Sequence, residues 1–139
     1  MVATVIIGAW AYTCYAAIVH TGLRPLENLD DLATALERAR QAPILLFKHS
    51  HTCGLSAQAY AELADLLATG DLPVDVYLVS VRASPDVSSA VAARFGVRHE
   101  SPQVLLVHGD AVLWHGSHFR VTASQIRAAL ERVAAIATG

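Results

Sequence analysis

One stretch of the chain, residues 43–56, constrains the fold more than any other. The apolar run 44–47 lies between Pro43 and a polar cluster, which is typical of a strand that is buried on both faces. After Cys53 the period of the apolar residues becomes helical. One helical face holds Leu55, Ala59, Leu63, Leu66 and Leu67, and the opposite face holds Gln58, Glu62, Asp65 and Thr69. The stretch therefore predicts a central strand followed closely by a helix.

Cys53 lies where this strand gives way to the helix. The first turn of a helix has unpaired amide hydrogens and the positive end of the helix dipole, and both stabilise a thiolate. The alternative is an inert core thiol, since free cysteine is among the most buried residue types. The polar residues on both sides of Cys53 favour a reactive thiol.

Length and composition limit the classes of protein that remain. A chain of 139 residues fits one domain with a full core. A net charge of -2 with 16% charged residues predicts no nucleic-acid partner and no acidic partner. Two cysteines, Cys14 and Cys53, cannot form a disulfide framework, and such low cysteine use is typical of the reducing cytoplasm.

The segment 1–19 is mostly apolar and has no charged side chain. It lacks the basic region and the cleavage site of a secretory signal. Three interpretations remain: a membrane anchor, an extra element packed on the domain, or a start assigned too far upstream, with Val19 as one internal alternative. An anchor followed by Arg24 favours a domain that faces the cytoplasm. We expect a separate segment over residues 1–22, a domain over 23–139, and membrane contact only through residues 1–19.

Caps and turn signals predict the remaining elements. They are a helix capped by Asn28, a strand over residues 74–81, a helix from Ser84 and Pro85 to Gly96, strands over 104–107 and 111–115, and a helix after Thr122. The order α-β-α-β-α-β-β-α places a helix between parallel strands and ends in an antiparallel hairpin. We predict an α/β thioredoxin-like fold, with a central mixed four-stranded sheet flanked by helices.

Two motifs carry a family resemblance. The pattern Lys-His-Ser-x-x-Cys-x-x-Ser over residues 48–56, followed by Gly-Val-Arg-His-Glu-Ser-Pro-Gln over 96–103, resembles the monothiol bacilliredoxins of the YtxJ type. These are thioredoxin-like proteins of the bacillithiol redox system. The resemblance runs from about Leu26 to the last helix. It implies that Cys53 is the active thiol, that Ser101–Pro102 carries a cis peptide bond beside it, and that His118 is a family feature.

The residues after Cys53 decide how such a thiol would work. Ser56 stands where a dithiol motif has its second cysteine, so it cannot resolve a mixed disulfide. Its hydroxyl either bonds the thiolate or caps the first turn of the helix, and both interpretations stay open. Gly54 departs from the family, which usually has proline there, and this bears on thiol acidity and on the choice of small thiol. We count Gly54 and Ser56 among the thiolate-stabilising residues.

His49 and His51 alternate and are expected to flank the cysteine loop. One of them is expected to add positive charge near the thiolate and the other to be solvated. With Cys53 they form His-x-His-x-Cys, but zinc sites need a fourth ligand and a different spacing, so no metal is expected. Lys48 is expected to be a surface charge.

The predicted substrate groove surrounds Pro102. A cis bond presents the backbone of Ser101 to an extended substrate, whereas a trans proline would merely start a strand. His99 and Glu100 precede the proline and either line the groove or form an ordinary polar loop. The resemblance adds His118 to this set.

These residues predict a monothiol thiol–disulfide oxidoreductase. Its partners would be S-thiolated client proteins, with bacillithiol or a similar small thiol as co-substrate and no bound cofactor. The sequence Cys-Gly-Leu-Ser also resembles the Cys-Gly-Phe-Ser of monothiol glutaredoxins that carry a [2Fe-2S] cluster, but the acidic pair those proteins use for glutathione is absent from residues 113–119. A thiol-sensing adaptor without catalysis is the third interpretation.

Overall fold

The computed structural model describes residues 22–70 and 72–138. Cys14 and residues 1–21 of the predicted N-terminal segment lie outside the described residues, so the anchor and the boundary at residue 22 stay predictions. Within the described part of the chain, no helix is both long enough and apolar enough to cross a membrane.

The described residues form a mixed sheet with helices on both faces. The strands are β1 (Leu23–Pro25), β2 (Ile44–His49), β3 (Asp75–Ser80), β4 (Gln103–His108) and β5 (Ala111–Ser117), and the helices are α1 (Leu29–Gln41), α2 (Gly54–Ala68), α3 (Pro85–Phe95) and α4 (Ala123–Thr138). The sheet order is β1-β3-β2-β4-β5. Strands β1 and β2 run parallel to β3, and β4 runs antiparallel to both β2 and β5.

The sheet has five strands, so the prediction of four was wrong by one edge strand. Strand β1 pairs Leu23 with Val76 and Pro25 with Leu78. Three residues are too few to show the period of two that reveals a strand, and Gly22 and Pro25 are residue types that are typical of turns. Proline is tolerated here because β1 is an edge strand. The thioredoxin-like class of the fold is confirmed.

Strand β2 lies at the centre and is buried on both faces, as its apolar run predicted. Leu45 and Phe47 pack on one face with buried residues of α2 and α4. Ile44 and Leu46 pack on the other face with buried residues of α1 and α3. The two-sided core fixes the carboxyl end of β2, where the cysteine loop begins.

The predicted helix starts are confirmed by their caps. The Asp31 N–H donates to Asn28 Oδ1 at 2.8 Å at the start of α1. Ser84 is the N-cap residue of α3 by its backbone position, but its hydroxyl donates to the Glu27 carbonyl and makes no cap hydrogen bond; α3 ends at Gly96 with φ of 65°, a conformation that favours glycine. At the start of α4 the Gln125 N–H donates to Thr122 Oγ1 at 3.1 Å.

Candidate active site

Cys53 is the N-cap residue of α2, with extended backbone at φ -108° and ψ 122°. Its N–H donates to the Ser50 carbonyl at 3.1 Å, and its own carbonyl accepts from the Ala57 N–H at 3.1 Å. The backbone on both sides of the thiol is therefore held in place. The residue is partly exposed, so the sulfur is within reach of a substrate.

The pKa of Cys53 is held below its ordinary value, chiefly by the backbone N–H of Ser56, then by that of Leu55, and less by the Ser56 hydroxyl. These two amides are the ones that an N-cap side chain faces. Gly54, His49 and His51, which were predicted to help, are not among these groups. Gly54 is one position too early in the helix, and an exposed histidine such as His51 is screened by solvent.

The hydroxyl of the fully buried Ser56 joins three segments. It accepts from the Ser50 N–H at 3.3 Å and lies 3.3 Å from the Ser101 hydroxyl. The hydroxyl contributes to the lowered pKa of Cys53, in line with the first interpretation, whereas the amide that it pairs belongs to Ser50 in the loop before α2 and is not a cap of the first turn. The hydroxyl connects the cysteine loop to the loop that contains Pro102.

The Ser101–Pro102 peptide bond is cis. The Pro102 carbonyl accepts from the His118 N–H at 2.9 Å. His118 has a φ of 56°, which is uncommon for a residue other than glycine, and its Nε2 lies 3.7 Å from Glu100 Oε2. The Ser117 hydroxyl, and less strongly His118, hold the pKa of Glu100 below its ordinary value. His118 therefore closes the end of β5 against the proline loop.

Lys48, the only lysine in the chain, is fully buried, so its expected place on the surface was wrong. Its position on β2 continues the face of Ile44 and Leu46, which packs against α1 and α3. Its Nζ lies 3.3 Å from His99 Nδ1, and burial lowers its pKa to about 8. None of the ion pairs within the described residues includes Lys48.

His99 is an exposed residue that contacts both Lys48 and helix α3. Its Nδ1 also lies 3.2 Å from Ser88 Oγ of α3. Burial, and then the charge of Lys48, lower the pKa of His99. Gln103, which pairs with Lys48 across the strands, donates from Nε2 to the Arg98 carbonyl at 2.9 Å. The sequence analysis did not predict this polar cluster, although Lys48 lies on the same face as Ile44 and Leu46 in a strand that was predicted to be buried.

The ring of His49 packs against Tyr60 of α2. Its ring centroid is 5.2 Å from that of Tyr60 and 5.6 Å from that of Phe47. Burial lowers the pKa of His49, which explains why it adds no positive charge at the thiolate. His49 and His51 line a cavity of about 250 Å³ beside the cysteine loop. A larger cavity of about 360 Å³ is formed by Leu66, Leu72, Leu130 and neighbouring residues, without a cysteine or histidine.

Within residues 22–70 and 72–138, no three His, Cys, Asp or Glu side chains converge as metal ligands. The His-x-His-x-Cys pattern is therefore not brought together as a three-ligand site.

Comparison with known proteins relates this geometry to a family. Residues 24–126, which include Cys53, Ser56, Pro102 and His118, match the family described as monothiol bacilliredoxin BrxC. The chain belongs to the monothiol bacilliredoxin family. Family and fold together assign it a thiol redox function.

Solved structures agree with the fold. A protein described as a putative oxidoreductase with a thioredoxin fold is 28% identical, with a TM-score of 0.69 over 78% of this chain and 93% of that one. Thioredoxin from Fasciola hepatica is 18% identical, with a TM-score of 0.62 over 78% of this chain and 97% of its own. Thioredoxin O2 from Arabidopsis thaliana is 16% identical, with a TM-score of 0.65 over 82% and 96%.

Proposed function

We propose that this bacilliredoxin is a monothiol thiol–disulfide oxidoreductase that removes bacillithiol, or a similar small thiol, from client proteins through Cys53. The observation that carries the proposal is the thiol at the N-terminus of α2. Its pKa is lowered by the amides of Ser56 and Leu55, and a buried serine stands where a resolving cysteine would be.

The reaction is two successive disulfide exchanges. The Cys53 thiolate attacks the small thiol's sulfur in the client disulfide, that S–S bond breaks, and the client cysteine leaves as a thiolate that takes a proton from water. Cys53 then carries the small thiol as a mixed disulfide. A second thiolate attacks the small thiol's sulfur, and the Cys53 thiolate leaves. A lowered thiol pKa supports both steps, because it raises the thiolate fraction and makes Cys53 a better leaving group.

The backbone at Ser101 and Pro102 is the proposed docking edge for the client. The Ser56–Ser101 hydroxyl contact at 3.3 Å places this loop beside the helix that Cys53 caps. The neighbouring Phe119 is 82% exposed and offers an apolar contact to an extended chain. Glu100 and His118 border the same edge through their ion pair, while His99 contacts Lys48 and Ser88 and is proposed to support the loop.

The test is removal of bacillithiol from a purified client protein, measured by the rate at which reduced client appears. Cys53→Ser is expected to abolish removal, because no other thiol in the motif can attack. Cys14→Ser is the matched control and is expected to leave the rate nearly unchanged. Removal by the Cys53→Ser protein at the wild-type rate would contradict the proposal, as would loss of removal in Cys14→Ser.

A further inference from the structure

We infer that the cavity beside the cysteine loop binds the small-thiol part of the mixed disulfide, and that it fits a thiol carrying both an amino group and a carboxylate. This cavity, termed here the histidine pocket, encloses about 250 Å³ and is lined by Leu26, Glu27, His49, His51, Tyr60 and Ser84 among others. The inference rests on the proposed function, because it names where the transferred thiol sits.

The histidine pocket lies where the ends of three paired strands and the loops that follow them are joined by hydrogen bonds. Strands β1, β2 and β3 are parallel neighbours, so their carboxyl ends meet at one edge of the sheet. Hydrogen bonds tie the loops at that edge together. The Leu26 N–H donates to the Leu78 carbonyl at 2.8 Å, the Val81 N–H to the His49 carbonyl at 2.9 Å, and the Ser84 hydroxyl to the Glu27 carbonyl at 3.2 Å. Such a preformed cleft is typical of a small-molecule site.

The walls of the pocket combine an apolar surface with one carboxylate and two imidazoles. Leu26, Leu78 and the ring of Tyr60 supply apolar surface. The carboxylate of Glu27 suits an ammonium group, and the imidazoles of His49 and His51 carry N–H groups that can donate hydrogen bonds to a carboxylate, which a neutral ring also does. A small thiol with groups of both charges is therefore complementary to this surface.

The opposite side of Cys53 offers much less space. The groove between Leu55, Gln58, His118 and Phe119 encloses about 50 Å³. That side also leads to the proline loop, which the client chain is proposed to use. A mixed disulfide has two parts, the client chain and the small thiol, and both must be held at once. Each is proposed to bind on a different side of the cysteine loop.

The experiment measures disulfide exchange without any client. The full chain carrying Cys14→Ser is equilibrated with the symmetrical disulfide of each small thiol, and the fraction of Cys53 in mixed disulfide is read by intact mass. The thiols are bacillithiol and cysteine, which carry both charges, cysteamine, 3-mercaptopropionate, and uncharged 2-mercaptoethanol. A short unstructured peptide with one cysteine corrects for the intrinsic chemistry of each thiol.

We expect the corrected equilibrium constant to be highest for bacillithiol and cysteine. Glu27→Gln and His51→Gln are each expected to lower it for these two thiols by about fivefold, as for a partly exposed charged contact, with no change for 2-mercaptoethanol. Gln58→Ala, in the opposite groove, and Glu37→Gln, on the exposed face of α1, are matched controls that are expected to change nothing.

Equal constants for all five thiols would overturn the inference, and so would a loss confined to Gln58→Ala. Amide chemical shifts of the bacillithiol adduct give a second measurement, with changes expected at residues 80–84 rather than at residues 118–121. Because the adduct is formed from a small disulfide, pocket effects without client turnover would refute only the proposed function. Client turnover without pocket effects would refute only this inference.

Discussion

The burial of Lys48 opposes folding. An ammonium group loses its hydration on burial, and Lys48 is fully buried without a carboxylate partner among the ion pairs of the described residues. What it contacts is His99, which also meets Ser88. This cluster supports the segment that leads to Ser101 and Pro102, so we interpret Lys48 as a positioning residue of the proline loop.

The lowered pKa of Lys48 predicts a pH-dependent stability. Its pKa is about 8 in the folded protein, against 10.5 for an exposed lysine. Below pH 8 both states are protonated and the burial cost is fully present. Above the unfolded value both states are neutral and the cost is gone. The free energy of unfolding should therefore rise between about pH 8 and 10, by at most about 3 kcal/mol.

Denaturant unfolding at pH 7.5 and at pH 10 measures this rise, with Lys48→Met as the matched variant. The thiol of Cys53 contributes in the same direction, but equally in both proteins. We expect the rise to be larger in the native protein than in Lys48→Met. The same rise in both would show that Lys48 titrates normally.

The sequence predicted Cys53 and its helix because both depend on residues that are neighbours in the chain. A strand that ends in a polar turn, followed by a helical period, places a thiol at an N-cap whatever the rest of the fold does. Lys48 is buried because α3 covers the face of β2 that also holds Ile44 and Leu46. The sequence around Lys48 does not specify this packing. The packing of His49 also depends on a second element, since its ring contacts Tyr60 of α2 as well as Phe47.

At the scale of elements, helix α2 also supports the start of α4. Glu62 Oε1 accepts from the Ala123 N–H at 2.6 Å and satisfies an amide that has no partner within its own helix. Thr122 was predicted as the cap from its neighbour Gln125. The contribution of Glu62 was not predicted, because 61 positions separate it from Ala123.

Glu62→Ala should lower the free energy of unfolding by about 1–2 kcal/mol, because it leaves that amide without its acceptor. Asp65→Ala is the matched control, an exposed acidic residue on the same helix, and should change stability little. Chemical denaturation of both variants makes the comparison. Equal effects of the two substitutions would mean that charge on α2, rather than the contact to α4, sets the stability.

At the scale of the whole molecule, the domain is expected to need β1 but not the segment before it. Leu23 is 3% exposed and packs into the core, and β1 pairs with β3. A chain that begins at Thr21 should keep its thermal transition and thiol reactivity. A chain that begins at Leu26 should be less stable by about 2 kcal/mol or more, since it loses a buried leucine and an edge strand.

Melting followed by circular dichroism compares the two shortened proteins with the full chain. If the chain that begins at Thr21 also loses its transition, residues 1–20 are an integral element and the predicted boundary is wrong. If both shortened proteins melt alike, β1 contributes little.

The most direct test of the monothiol mechanism is intact mass spectrometry after a single turnover with a bacillithiolated client. With Ser56 in place of a resolving cysteine, we expect the protein to gain the mass of one bacillithiol on Cys53. Ser56→Cys should instead give an internal disulfide and free bacillithiol. A wild-type product with a Cys14–Cys53 bridge and no adduct would contradict the account, because the N-terminal segment would then supply the resolving cysteine.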